Sequence, residues 1–198
     1  MKALLVVDIQ NDFCPGGLLA VKDGDKIIPL VNELMKNYRV VIATQDWHPQ
    51  NHKSFASNNK GKNPGELINL NGIQQILWPD HCVQRSRGAK FHDKLDLAFI
   101  TKIFRKGANP EVDSYSAFLE NDQKTSTGLA AYLKEIKVNE VHLCGLATDY
   151  CVKFSALDSV KAGFKTKVYK DAVRGVELNE GDIEHAFEEM KNAGVEIL

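Results

Sequence analysis

The sequence predicts an α/β fold in three layers, with helices on both faces of a mainly parallel, six-stranded sheet. Two observations carry that expectation. Short apolar runs of strand length alternate along the chain with segments whose apolar residues recur at helical spacing, the pattern of consecutive βαβ units. The first run, Ala3 to Val7, is apolar at every position, as a central strand covered on both faces requires. With 198 residues, one domain spanning 1–198 is the simplest division, and folding should bury roughly 70% of the unfolded chain's surface.

Composition excludes several function classes. The chain is 43% hydrophobic and 26% charged with a net charge of −1, so no basic surface for nucleic acid or anionic lipid is expected. The five apolar residues before Asp8 are too few for a signal-peptide core, and no apolar run approaches a membrane span. Four cysteines (Cys14, Cys82, Cys144, Cys151) without close pairing fit a reduced, cytoplasmic protein. No repeat and no dinucleotide or Walker fingerprint is present.

Each element follows in order. After Ala3–Val7, the loop Pro15-Gly16-Gly17 leads to a helix from about Asp25 to Asn37, with Ile27, Ile28, Val31, Leu34 and Met35 on one face and Pro29 in its first turn. Arg39–Ala43 reads as the second strand. From Pro49 to His92 periodicity is lost; a loop this long in a compact domain usually builds a site. Leu97–Ile103 reads as the third strand. Ser126 or Thr127 caps a helix running to about Lys137. Val141, Leu143 and Cys144 form a strand that Gly145 ends, and Val152, Ala156 and Val160 then recur at intervals of four. A strand at Thr166–Tyr169, a helix over Asn179–Asn192 stopped by Gly194, and a strand at Val195–Leu198 close the chain.

Ligands in such sheets bind beyond the carboxyl ends of the strands, where strand order reverses. Asp8, then Asp46 with His48, then Lys106, then Cys151 stand at four successive strand ends. Cys151 lies where a strand has ended and a helix begins, a position where the helix dipole and free N–H groups favour a thiolate and can hold an oxyanion; its bland reading is a small buried hydrophobe. Asp8 is the candidate base and Lys106 the candidate cation, although most lysines are solvated surface residues. Asp46 and His48 can face one ion, with His81 as a third ligand and Ser54 as an oxygen donor, directly or through water; zinc suits the set, as do iron or manganese. His52, His92, His142 and His185 read as structural or surface residues. Phe13, Leu19, Trp78 and Tyr115 are the apolar walls a flat aromatic substrate would want.

Five segments carry a resemblance to a known family: VDIQNDFCPGG (7–17), TQDWHPQNHKSFA (44–56), WPDHCVQ (78–84), RKG (105–107) and GLATDYCV (145–152), with DAVRG at 171–175. In order and spacing the chain resembles the nicotinamidases, members of the isochorismatase-like cysteine hydrolases with a Rossmann-like fold. The resemblance implies a triad of Asp8, Lys106 and Cys151, a metal held by Asp46, His48 and His81 with Ser54 a further ligand in some relatives, and a cis peptide before Ala147 that aims the N–H groups of Ala147 and Cys151 at an oxyanion. It implies hydrolysis of nicotinamide, and of pyrazinamide, to the acid and ammonia through a thioester, with the ring nitrogen at the metal's open position, in NAD salvage. A homo-oligomer is left open. Two rivals keep some of these features: another amidohydrolase acting on a small carbamoyl compound, and a metal-binding protein in which Cys144 and Cys151 form a redox pair.

Overall fold

The computed structural model describes residues 1–198. Its strands run in chain order as β1 (Lys2–Val7), β2 (Val41–Asp46), β3 (Leu67–Leu70), β4 (Ile73–Ile76), β5 (Lys102–Lys106), β6 (Glu140–Leu146), β7 (Lys165–Arg174) and β8 (Glu196–Ile197). The α-helices are α1 (Ile28–Met35), α2 (Leu129–Glu135), α3 (Lys153–Lys161) and α4 (Asp182–Asn192). Six strands form one sheet in the order β5-β2-β1-β6-β7-β8, and every neighbouring pair is parallel. The chain winds one way from β1 through β2 to β5 and the other way through β6 to β8. The order therefore reverses between β1 and β6, which opens a crevice at their carboxyl ends.

Burial explains why β1 is apolar throughout. Leu4 and Val6 pack on one face with Ile28, Val31 and Met35 of α1. Ala3, Leu5 and Val7 pack on the other with Leu129 and Leu133 of α2, Ala156 of α3 and Met190 of α4. The period-2 alternation of a strand thus feeds both layers. No helix is long and apolar enough to cross a membrane.

The structure shifts several element bounds, and two shifts matter for chemistry. The second strand runs over Val41–Asp46 rather than Arg39–Ala43, and the third over Lys102–Lys106 rather than Leu97–Ile103. Asp46 and Lys106 therefore belong to the strands and do not follow them. Leu97–Phe99 is instead a short 3-10 turn, capped by the Asp96 carboxylate accepting the Ala98 N–H at 3.0 Å. Pairing decides this: the register Ile42↔Lys102 to Asp46↔Lys106 continues β2 and β5 together through polar residues that hydrophobic pattern alone would exclude.

Other differences are smaller. The helix expected from Asp25 opens as a 3-10 turn at Gly24–Ile27 before α1. β7 is ten residues long and reaches Arg174, because a register shift between Leu143 and Gly145 lets its second half pair with the end of β6. Within the stretch read as a long site-building loop, β3 and β4 form an antiparallel hairpin. Its turn is Asn71-Gly72, with φ of 54° and 88°, the left-handed pair that a two-residue hairpin turn of this type demands.

Candidate active site

The carboxyl ends of β1, β2, β5 and β6 bring Asp8, Asp46, Lys106 and Cys151 into contact. Lys106 is 1% exposed, which removes its reading as a surface lysine. Its ammonium donates to Asp46 Oδ1, to the Ser114 carbonyl at 2.9 Å and to Cys151 Sγ at 3.4 Å, and it forms an ion pair with Asp8 Oδ2 at 2.9 Å. Asp8 is also held by Thr44, whose hydroxyl donates to Oδ1 at 2.6 Å.

One cation therefore serves two buried carboxylates, and the charges settle accordingly. Burial alone would lower the Lys106 pKa, but Asp46 and Asp8 hold it well above the ordinary lysine value. Burial would raise Asp46, yet Lys106 and His48 hold it well below the usual carboxylate range. Asp8 goes the other way, because burial raises it more than Lys106 lowers it. Cys151 is likewise pushed well above a free thiol by burial, with Lys106 opposing. This corrects the expectation of a thiolate stabilised at a helix start. The ammonium at 3.4 Å is already neutralised by its carboxylates, so the thiol keeps its proton beside an aspartate whose affinity for that proton is raised.

The turn that carries Cys151 also differs in kind from a helix start. Thr148–Val152 forms one π-helical turn that runs into α3, with the Val152 N–H donating to the Ala147 carbonyl at 3.0 Å. Such wide turns are rare and frequently mark functional sites. The Leu146–Ala147 peptide is cis, and the Ala147 N–H makes no hydrogen bond within the chain. At Gly145, with φ 118°, an added Cβ would lie 2.1 Å from the Val7 carbonyl oxygen, so the approach of β6 to β1 beside Asp8 requires glycine.

Beside this cluster, Asp46, His48 and His81 point ligand atoms at one another, all within 4.8 Å. Asp46 Oδ2 lies 3.6 Å from His48 Nε2 and 3.8 Å from His81 Nε2. His48 Nδ1 donates to the Gly107 carbonyl at 2.9 Å, and His81 Nδ1 donates to the Pro79 carbonyl at 2.8 Å. Those bonds leave both Nε2 lone pairs free, the tautomer that ligating histidines adopt. His48 Nε2 is buried with no hydrogen-bond partner. An orphaned buried acceptor of this kind is costly unless a further group satisfies it, and a divalent metal fits the donor set.

Ser54 and His52 stand behind His48. The Ser54 hydroxyl donates to His52 Nδ1 at 2.7 Å, which leaves the Ser54 lone pairs free, and the His48 and His52 ring centroids are 4.5 Å apart. Burial, with the neighbouring His48, holds the His52 pKa at about 4, so His52 is neutral.

Phe13, Leu19, Trp78 and Tyr115 all line a crevice that exposes Cys151, Ala147, Asp46 and His81. Sequence reasoning missed three further lining residues, Asp113, Tyr150 and Val176. Tyr150 stacks edge-on against Trp78, with centroids 5.0 Å apart. Asp113 Oδ1 lies 4.0 Å from His48 Nε2, while its Oδ2 accepts from Gln75 Nε2 at 2.8 Å. Gln75 belongs to β4, so the unforeseen hairpin braces the site wall. The available signals were adjacency to Cys151, to Tyr115 and to the DAVRG segment. His92 lies outside the crevice, and His142 bonds Glu140 and Tyr38.

The redox rival loses its geometry. Cys144 packs on the α1 face of the sheet and Cys151 on the opposite face, and both thiols are free.

Comparison with known proteins places this arrangement. A profile of the isochorismatase domain matches residues 2–198. The chain is 50% identical over 194 residues to the nicotinamidase of Acinetobacter baylyi, covering 98% of this chain and 90% of that protein. A solved structure of a nicotinamidase and pyrazinamidase of Acinetobacter baumanii superposes with a TM-score of 0.97 at 50% identity, covering 100% of this chain and 95% of the other. The pyrazinamidase of Pyrococcus horikoshii in complex with zinc superposes with a TM-score of 0.81 at 40% identity, covering 100% and 98%.

Proposed function

The chain belongs to the isochorismatase family, and within it we propose that residues 1–198 form one hydrolase domain that converts nicotinamide to nicotinate and ammonia. The observation that carries this reading is the single buried ammonium of Lys106 touching Asp8, Asp46 and Cys151 Sγ at once, in a crevice walled by Phe13, Trp78 and Tyr115. The likeness to relatives named nicotinamidase and pyrazinamidase supports the substrate class, and pyrazinamide, a ring of the same size with the same carboxamide, fits as a second substrate.

Asp46, His48 and His81 would hold the metal, with the Ser54 hydroxyl, whose lone pairs are free, as the candidate further oxygen. We take the metal to be zinc, on the donor set and on the zinc-bound relative. Bound there, the metal would supply a Lewis-acidic open position for the ring nitrogen and so orient the substrate.

The chain's own residues do the bond making. Cys151 Sγ attacks the carboxamide carbon as its proton passes to Asp8, whose raised pKa suits it to accept one. The free N–H of Ala147, together with that of Cys151, receives the negative charge that develops on the carbonyl oxygen. Asp8 then gives the proton to the departing nitrogen, and ammonia leaves a thioester on Cys151. Water attacks that thioester, Asp8 takes a proton from it, nicotinate leaves, and the thiol is restored. Lys106 keeps its charge throughout and stabilises whichever neighbour is anionic.

Ammonia release from nicotinamide by the purified, zinc-loaded protein tests the reading. Release at enzymic rates is the expected result. No release from nicotinamide, with release from a non-aromatic carbamoyl compound, would transfer the chain to the rival amidohydrolase class.

A further inference from the structure

Two buried polar side chains just past Asp8 take no part in the chemistry above. Gln10 is completely buried. Its amide nitrogen donates to the Asp46 carbonyl at 2.8 Å and to the Ala89 carbonyl at 2.9 Å, and its amide oxygen accepts the Asp46 N–H at 2.9 Å. Because β1 ends at Val7, the Gln10 side chain takes over where main-chain pairing with β2 stops, and it satisfies both main-chain groups of Asp46. Asp12, also buried, accepts the Cys82 N–H at 2.7 Å through Oδ2 and the Leu18 N–H at 3.3 Å through Oδ1. Cys82 directly follows His81 and sits at φ 47°, a conformation that persists in a non-glycine residue only where its surroundings enforce it. The Asp12 carboxylate fills the space beside Gly88, where an added Cβ would come within 1.9 Å of it.

The geometry points to Gln10 and Asp12 as positioning residues for the metal ligands: Gln10 sets Asp46 through its main chain, and Asp12 sets His81 through the main chain of Cys82. The inference rests on the reading that Asp46, His48 and His81 hold a divalent metal. Asp46 divides its two oxygens between Lys106 and the histidines, so a small rotation of its backbone would favour one partner at the expense of the other. A glutamine suits the task because one planar group offers both a donor and an acceptor. A glutamate of the same shape keeps only the acceptor, leaves the Asp46 carbonyl without its Gln10 donor and leaves the Ala89 carbonyl to Gln45 alone.

Cobalt(II) titration of the metal-free protein tests this, with visible absorption reporting coordination geometry and zinc competition reporting affinity. Gln10→Glu, Gln10→Met and Asp12→Asn are compared with Gln45→Glu, which loses a bond to the same Ala89 carbonyl (2.9 Å) without releasing the Asp46 main chain. The Gln10 and Asp12 variants should bind metal about 10- to 100-fold more weakly, the usual cost of losing an outer partner, with an altered cobalt spectrum. Gln45→Glu should bind like wild type. Wild-type affinity and spectrum in Gln10→Glu and Asp12→Asn would overturn the inference. So would weakening in all four variants in proportion to lost stability of the metal-free fold, or failure of the Gln10 and Asp12 variants to fold, since either assigns these side chains to general packing. A wild-type protein that binds no cobalt would overturn the underlying metal reading instead.

Discussion

Asp46 and Lys106 are partners in register at the last paired position of β2 and β5, and their side chains meet in a buried ion pair. The parallel register places them on the same side of the sheet, so the pairing that ends the two strands also joins a carboxylate of the candidate metal site to the ammonium beside Cys151. The Asp46, His48 and His81 cluster and the Cys151 thiol are thus coupled through one ammonium.

Removing that ammonium should expose the coupling. Lys106→Met leaves Asp8 and Asp46 buried without a counter-ion, a loss that typically costs about 3–5 kcal/mol. Without Lys106 both carboxylates would have folded-state pKa values above their unfolded ones. The variant's deficit should therefore be largest at neutral pH and shrink as pH falls through those raised values, where the folded state takes up the protons. Urea unfolding of the metal-free proteins at pH 5 and pH 7 checks the sign. A deficit independent of pH would rule this account out. In the metal-loaded enzyme kcat should fall by about 100-fold or more, with KM changing less, as expected for an interaction felt at the reacting centre.

The two cysteines of the signature region should behave oppositely. Cys151→Ala should abolish ammonia release while keeping fold and metal content. Cys144→Ala should keep most activity, because Cys144 is fully buried on β6 in the core facing α1 and its thiol's hydrogen bond goes to the Leu5 carbonyl, at 3.9 Å. Activity assays with circular dichroism decide between them, and reversed phenotypes would show the nucleophile to be misassigned.

His48→Ala and His81→Ala should each lower bound metal and raise KM for nicotinamide, since each removes a free Nε2 from the donor set. Metal analysis of the purified proteins is the measurement. Full occupancy in both variants, or activity unaffected by prolonged dialysis against a strong chelator, would count decisively against the metal site.

Gly107 offers a test from outside the donor set. Its φ is 65°, and an added Cβ would lie 2.4 Å from His48 Cε1. Gly107→Ala should therefore push the His48 ring off its line and strain the backbone after β5, lowering metal affinity by about 10-fold or more, as expected when a ligand's outer support is disturbed. Zinc competition with a chromophoric chelator reads the change, and wild-type affinity would show that the ring has room to adjust.

The sequence by itself determined the parallel α/β architecture and the set of reactive residues. Continuous apolar runs such as Ala3–Val7 can satisfy their burial only as central strands, and the polar residues that end those runs must then gather at one sheet edge. For that reason Asp8, Asp46, Lys106 and Cys151 could be placed in one crevice before any contact was known. Tertiary structure decided what depends on pairing and distance. The register of β2 with β5 carries Asp46 and Lys106 inside the strands, and no hydrophobic period marks a strand end built of Thr44, Gln45, Arg105 and Lys106. It also decided that Lys106 serves Asp46 as well as Asp8, and that Cys151 rests as a buried thiol. Protonation follows from burial and from the sum of neighbouring charges, and both are set by residues up to 143 positions apart in the chain, Asp8 and Cys151 among them. The hairpin that carries Gln75 into the site wall was signalled by Asn71-Gly72, but its function exists only where it meets Asp113, 38 residues away.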